Sequence, residues 1–187
     1  MIFRLARPLA ALAIATLTVG CALQAPRYQP SLDNVEILKK TAGPVALGAF
    51  TVQPGATGST SVTLRASPMN SPVGADYAAY LADALQQELT LARKLDPKSN
   101  VVITGVLLKN DIAAGGIITN SGEIEALFAV TRDGQQRYSQ VKRAELSWDS
   151  SFIGAVAIPR AQQQYPQVVQ KLTSLLLADP DFLAALK

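Results

Sequence analysis

Apolar residues recur along this chain with two different spacings, and each spacing predicts a type of secondary structure. Between Asp76 and about Leu95 they recur every three or four residues, which is typical of an amphipathic helix packed on a core. Asp76 can cap its first turn, and the following Asp96-Pro97 ends it. The apolar stripe consists of Tyr77, Leu81, Leu85, Leu89 and Ala92. The charged residues Asp83, Glu88, Arg93 and Lys94 are predicted to form a solvated face.

Strand patterns lie on both sides of this helix. VEILKK and GPVALGAFTV are rich in branched residues and are predicted to be β segments separated by a Gly43-Pro44 turn. Val62–Ser67 is predicted to be one short strand, and the almost continuously apolar Asn100–Lys109 a central strand. Asp133-Gly134, between two strand-like runs, is the strongest hairpin signal. A change of parity in the second arm predicts a bulge near Lys142.

The last third of the sequence returns to helical spacing. Pro166 suits the first turn of a helix that begins near Tyr165 and runs to about Ala178. Asp179-Pro180 then predicts a short terminal helix. The order of elements predicts an α+β fold in which a single antiparallel or mixed sheet carries two main helices on one face.

The first 20 residues have the organisation of an export signal. Arg4 and Arg7 precede an apolar run of about 12 residues, Pro8–Val19, which is too short to span a bilayer. Without these two arginines, the 17 basic residues become 15 against 14 acidic, so no strong affinity for nucleic acid is expected. The sequence predicts removal of residues 1–20, followed by a flexible tether over 21–34 and one domain over 35–187.

The only cysteine follows this run in the sequence Leu17-Thr18-Val19-Gly20-Cys21, which resembles the lipobox of bacterial lipoproteins. The resemblance implies cleavage between Gly20 and Cys21, a diacylglyceryl group on the Cys21 sulfur, and fatty acylation, with palmitate for example, of the new amino group. Ala22, where an inner-membrane signal usually has aspartate, implies the periplasmic face of an outer membrane. The alternative is an ordinary signal peptide cut elsewhere, which leaves a free thiol.

The order of elements after the lipobox resembles a known group of envelope proteins. The run from VTLRAS into YAAYLADALQQEL, the apolar strand, the hairpin and the C-terminal SSFIGAVAIPRAQQQYPQVVQKLTSLLLADPDFLAAL together resemble YajG-type outer-membrane lipoproteins. More distantly the order is similar to that of lipopolysaccharide-assembly lipoproteins and of auxiliary lipoproteins of ABC transporters. These families imply an accessory or binding role in the envelope and supply no catalytic residue.

Chemistry is sparse in this sequence. It contains no histidine, which removes the usual proton shuttle and the commonest metal ligand, and acylation would remove its only thiol. Ser139 and Lys142 match a serine-lysine spacing, but on a strand they would lie on opposite faces. We therefore expect no catalytic site, metal or cofactor. The leading hypothesis is a non-enzymatic binding module; a lipid or small-molecule carrier and a carboxylate-based envelope hydrolase are the alternatives.

The segment Asp111–Ile118 is unusually apolar for a connection between strands. Ile112, Ile117 and Ile118 are a possible docking surface for an envelope protein or a lipid. The alternative is an extension of the strand, or a β-bulge, that buries the three isoleucines in the core. The sequence leaves both interpretations open.

Overall fold

Four strands form the main sheet of the computed structural model, which describes residues 22–40 and 43–187. They are β2 (Ala46–Val52), β5 (Val101–Ala113), β6 (Thr119–Arg132) and β7 (Gln135–Asp149), in the order β2-β5-β6-β7. β2 runs parallel to β5, whereas β6 and β7 pair antiparallel with their neighbours. The predicted central strand is confirmed, because β5 lies inside the sheet.

The β6–β7 hairpin is the one predicted at Asp133-Gly134. Both residues have positive φ, 51° and 75°, as a tight turn of this kind requires. The bulge lies elsewhere than expected. The register shifts between Val130 and Thr131, which leaves Arg137 as the extra residue, and pairing is regular through Lys142. The bulge predicted near Lys142 is therefore wrong, and the change of parity in the sequence does not mark a bulge at that position.

A second, smaller sheet contains β1 (Leu23–Gln24), β4 (Ser67–Asn70) and β3 (Ser61–Leu64), in that order. β1 is parallel to β4, and β3 is antiparallel to it. The prediction of one strand over Val62–Ser67 is wrong, since Arg65 and Ala66 both adopt positive φ and turn the chain into a hairpin.

Four helices complete the described part of the chain. They are α1 (Leu32–Lys39), α2 (Tyr77–Leu91), α3 (Gly154–Leu177) and α4 (Pro180–Ala185). α1 corrects the β segment predicted for VEILKK: Val35 and Leu38, three residues apart, are buried on one helical face, and the Ser31 side chain caps the first turn. Asp76 and Asp179 cap α2 and α4 as predicted.

Helix α3 begins 11 residues before the predicted start near Tyr165, so Pro159 and Pro166 both lie inside it. The small residues Ala157 and Ala161 are buried and continue the apolar stripe towards the N-terminus of the helix. The proline signal predicted a later start, but this stripe extends the helix past Pro166.

The predicted single sheet with two main helices is wrong, because residues 22–40 and 43–187 form two mixed sheets and four helices. α2 packs against β2 and β5, and α3 against β6 and β7. Three buried tyrosine rings, Tyr77, Tyr80 and Tyr165, meet between these helices with centroids 4.9 to 6.2 Å apart. The second sheet escaped prediction because its strands have only two to four residues, too few to establish a period.

Candidate functional site

Residues 22–31, here called the N-terminal segment, are packed on the domain. Leu23 and Gln24 pair with Met69 and Asn70 of β4, and the Ala25 amide donates to the Asn70 carbonyl at 2.9 Å. The Tyr80 hydroxyl donates to the Pro26 carbonyl at 2.7 Å. Helix α3 adds side-chain donors, Gln162 to the carbonyl of residue 24 and Gln170 to that of residue 29.

This packing replaces the flexible tether predicted for the described residues 22–34. The prolines and polar side chains that indicated a linker are compatible with an extended chain whose carbonyls are bound by the neighbouring elements. Residue 22 is the first described residue, and the predicted cleavage and lipidation residues Gly20 and Cys21 lie outside the described part. The first described strand, Leu23–Gln24, thus lies two residues after the predicted lipid anchor in the sequence.

A buried polar cluster holds the N-terminal segment. In this Glu88 cluster, Glu88 Oε1 accepts hydrogen bonds from the Tyr28 hydroxyl at 2.5 Å, the Ser31 amide at 3.1 Å and Asn34 Nδ2 at 3.1 Å. Thr173 Oγ1 of α3 lies 3.2 Å from both the Tyr28 hydroxyl and Asn34 Nδ2. The cluster therefore joins the N-terminal segment and α1 to α2 and α3.

The solvated position predicted for Glu88 is wrong, since its side chain is fully buried. Glu88 follows Leu85 by three residues and lies at the border of the apolar stripe, where helical spacing alone does not separate buried from exposed positions. It is covered because Tyr28 and Asn34, 60 and 54 residues earlier in the chain, pack over it.

The electrostatics of the cluster favour a structural role. Burial, reinforced by the hydrogen bond to Glu88, raises the pKa of the Tyr28 hydroxyl far above its ordinary value, so this group stays protonated and donates. Glu88 Oε2 has no hydrogen-bond partner among the described residues. Because the Glu88 side chain is fully buried and its Oε1 is occupied by three donors, we assign Glu88 to the packing of the domain.

A second polar centre, around Arg65, organises three loops at one end of the domain. Its guanidinium donates to the carbonyls of Ala114 at 2.9 Å, Gly116 at 2.8 Å and Phe152 at 3.0 Å, and also to that of Ser151. These carbonyls belong to the β5–β6 and β7–α3 connections. One side chain in the β3–β4 turn therefore fixes both neighbouring loops.

The three isoleucines proposed as a docking surface separate in the structure. Ile112 lies in β5 and is only 5% exposed, so the alternative of burial in a strand extension is correct for this residue and it cannot contribute to docking. Ile117 and Ile118 are 64% and 80% exposed. Their neighbours on the surface, Phe152 and Ile153, are 78% and 60% exposed and were missed. The segment SSFIGAV, residues 150–156, which leads into the first turn of α3, is the signal that would have indicated them.

The lysine of the serine-lysine match, Lys142, and the carboxylate of Glu123 are engaged in ion pairs. As predicted, Ser139 and Lys142 lie on opposite faces of β7: Lys142 Nζ is 2.5 Å from Asp179 Oδ2, whereas Ser139 is exposed. Glu123 accepts from Lys109 and Arg143, each at 2.9 Å. Within residues 22–40 and 43–187, no group of three Asp, Glu, His or Cys side chains is close enough together to hold a metal ion.

A cleft of about 610 Å³ lies on the outside of the domain between α4 and the β6–β7 hairpin. Its lining includes Arg132, Arg137 and Lys187 together with Asp181.

In the described part of the chain, no helix is both long enough and apolar enough to span a membrane.

Comparison with known proteins gives similarity at the level of structure only. No family model and no curated protein matches the sequence. Among solved structures, protein XCC0632 of Xanthomonas campestris, from family DUF330, is 13% identical with a TM-score of 0.49 and covers 84% of this chain and 95% of its own. A predicted lipoprotein of Caulobacter crescentus is 10% identical with a TM-score of 0.46, over 81% and 93% of the two chains.

The hypothetical protein CT253 of Chlamydia trachomatis is 11% identical with a TM-score of 0.46, over 76% of this chain and 98% of its own. These overlaps assign neither a family nor an activity to this chain. The resemblance to YajG-type lipoproteins stays a prediction from the sequence.

Proposed function

We propose that this protein is a lipoprotein of the bacterial envelope, anchored by acyl chains on Cys21 in the outer membrane, whose periplasmic domain acts as a non-enzymatic accessory or binding module. The observation that carries the proposal is the junction between anchor and domain. The predicted export signal and the lipobox-like run end at Cys21, and two residues later Leu23 already pairs with Met69 of β4, while Tyr28 is held by Glu88. Two or three acyl chains bury many methylenes at about 0.8 kcal/mol each, enough for stable anchoring.

Three of the acidic side chains in the domain are engaged in structural contacts, which supports a binding role. The buried carboxyl of Glu88 secures the chain, and the carboxylates of Glu123 and Asp179 are paired with cations. A catalytic carboxylate would be expected to face a cleft where it can meet a substrate. We therefore assign these three groups to the stability of the domain.

Metabolic labelling with radioactive palmitate tests the anchor. Wild-type protein is expected to carry the label and to fractionate with outer membranes, and Cys21→Ser is expected to lose both the label and the cleavage of the signal. Ala22→Gly is the matched control, because it changes the adjacent residue and leaves the sulfur in place. A mature wild-type protein that carries no label would overturn the proposal.

The accessory role is tested by crosslinking in intact cells. We expect the anchored domain to be recovered with one particular envelope complex, and recovery to fall when Cys21→Ser removes the domain from the membrane. If replacing each described Asp and Glu singly reveals one whose loss abolishes an envelope phenotype while folding and partner recovery are normal, the non-enzymatic role is refuted.

A further inference from the structure

Exposed apolar side chains gather at one end of the domain. Ile117 and Ile118 are at the β5–β6 connection, and Phe152, Ile153 and Val156 are at the start of α3; all five are between 44% and 80% exposed. The two connections are joined directly, because the residue 150 amide and hydroxyl donate to the carbonyls of residues 118 and 116, each at 2.7 Å. We call these five side chains the apolar end.

The apolar end is almost free of charge. Residues 112–122 and 150–159 contain no Asp, Glu, Lys or Arg, and residues 61–75 contain only Arg65. The guanidinium of Arg65 is occupied by backbone carbonyls of the same loops. The nearest charges on either side of the β7–α3 connection are the exposed Asp149 and Arg160, and Arg160 donates to the Asp149 carbonyl at 3.0 Å. Shallow insertion of the apolar side chains alone would leave these two charges at the level of the lipid headgroups, and would therefore avoid the transfer of an unpaired charge into a low dielectric, which is the largest cost of such a transfer.

The direction of the chain brings the N-terminus to the same end. β4 begins at Ser67, directly after the Arg65–Ala66 turn, and β1 runs parallel to it with Leu23 opposite Met69. The start of β1 therefore points towards that turn, whose Arg65 binds the two apolar loops. In the sequence, only Ala22 separates Cys21 from the start of β1.

We propose that the apolar end is the membrane-contacting face of the protein, and that its side chains enter the interfacial layer of the phospholipid leaflet that holds the acyl chains. The inference rests on the proposed lipidation of Cys21. A bilayer suits this surface better than a protein partner because the patch is small, neutral and continuous with the chain that leads to the anchor. Exposed Ile and Phe side chains gain free energy on leaving water.

The proposal also fixes the orientation of the domain. β6 runs from the apolar end to the Asp133-Gly134 turn over 14 residues, a length of roughly 45 Å at about 3.3 Å per residue. Because the N-terminal segment is packed on the domain, little chain remains to let it rotate away from the leaflet. The hairpin and the cleft beside α4 then face the periplasm, away from the bilayer.

Single labels on the acylated protein test the contact. Acylation occupies the only native thiol, so Ile118→Cys, Ile153→Cys and Gln135→Cys each give one site for an environment-sensitive fluorophore. Mature acylated protein is reconstituted in vesicles of phosphatidylethanolamine and phosphatidylglycerol, with or without nitroxide-bearing lipid. We expect a blue-shifted emission quenched by nitroxide lipid at 118 and 153, and an aqueous, unquenched emission at 135 beside the distant hairpin.

Three outcomes are distinguished. If acylated, vesicle-bound protein shows the same aqueous signal at 118 and 153 as at 135, the membrane contact is refuted and the anchor stands. A blue-shifted signal that nitroxide lipid does not quench means that protein covers the apolar end, which also refutes the proposal. If palmitate is absent and the protein does not bind vesicles, the proposed function fails first.

Polar substitution supplies a second measurement. Ile117→Ser combined with Phe152→Ser removes two of the five apolar side chains and should lower the quenching of a label at 118 at least about twofold. Both residues are exposed, so thermal stability should remain unchanged. Leu91→Ser, at a 54% exposed leucine on α2, is the matched control and should leave the quenching as it was. Equal quenching in all three proteins would contradict the proposal.

Discussion

Replacing Glu88 with leucine is expected to release the N-terminal segment from the domain. Glu88 Oε1 serves three donors. Without it, the Ser31 amide is left without an acceptor among the described residues and loses about 2 kcal/mol. Tyr28 and Asn34 can still reach Thr173 and lose about 1 kcal/mol each. Removal of the unpartnered Oε2 offsets about 1 to 2 kcal/mol.

The net destabilisation is then about 2 to 3 kcal/mol, which for a domain of this size corresponds to a fall in the midpoint of thermal unfolding of roughly 5 to 10 °C. Glu88→Gln is the matched control. Its side-chain carbonyl can keep all three donors, and its amide merely replaces an oxygen that already lacks a partner. The glutamine variant should therefore stay within about 1 kcal/mol of wild type.

Thermal unfolding measures the magnitude, and amide hydrogen exchange locates it. We expect the leucine variant to lose protection in residues 22–40 while the amides of β5 and β6 exchange as in wild type. The reasoning is refuted if leucine is as stable as glutamate, or if glutamine destabilises as much as leucine. Either result would mean that packing of the surrounding apolar groups, and not the hydrogen bonds to Oε1, holds the segment in place.

Two further predictions concern the ion pair beside α4 and the glycine-rich loop. The hydrogen bond from Lys142 lowers the pKa of Asp179 from 3.8 to about 2. The contribution of this ion pair to the free energy of unfolding is therefore present above pH 4 and should disappear as the pH falls towards 2. Asp179→Asn should flatten the dependence of stability on pH in this range, and an unchanged dependence would contradict the pairing. Gly58→Ala should destabilise the domain by several kcal/mol more than Gly55→Ala, as measured by urea unfolding. Both glycines have positive φ, but only at Gly58 would the new methyl group lie 1.7 Å from a carbonyl oxygen of β5. Equal losses of stability in the two variants would exclude that clash.

Membrane contact at one end would make the opposite end the natural place for a partner. The periplasm-facing cleft beside α4 contains more basic than acidic side chains, with Arg132, Arg137 and Lys187 against Asp181. Its open position suits the surface of another protein better than an enclosed small molecule. The crosslinking experiment gains precision if the photoreactive group is placed near this cleft.

The residues that specify local structure could be recognised in the sequence. Asp76 and Asp179 cap helices because each carboxylate meets amides two or three residues later. Asp133-Gly134 reverses the chain because its two residues accept positive φ. These interactions span only a few residues, so their partners are already fixed by chain connectivity. The prediction of an export signal and of a lipidated cysteine likewise depends on sequence order alone and on no folded context.

Burial of polar and apolar side chains depended on partners distant in the chain. Glu88 is buried by Tyr28, and Ile112 enters the core while Ile117, five residues later, remains in solvent. The N-terminal segment became part of the domain through β4 and α3, more than 40 residues away. A helical or strand period determines which side chains share a face, whereas only the tertiary structure determines what covers that face, because the covering atoms come from elsewhere in the chain.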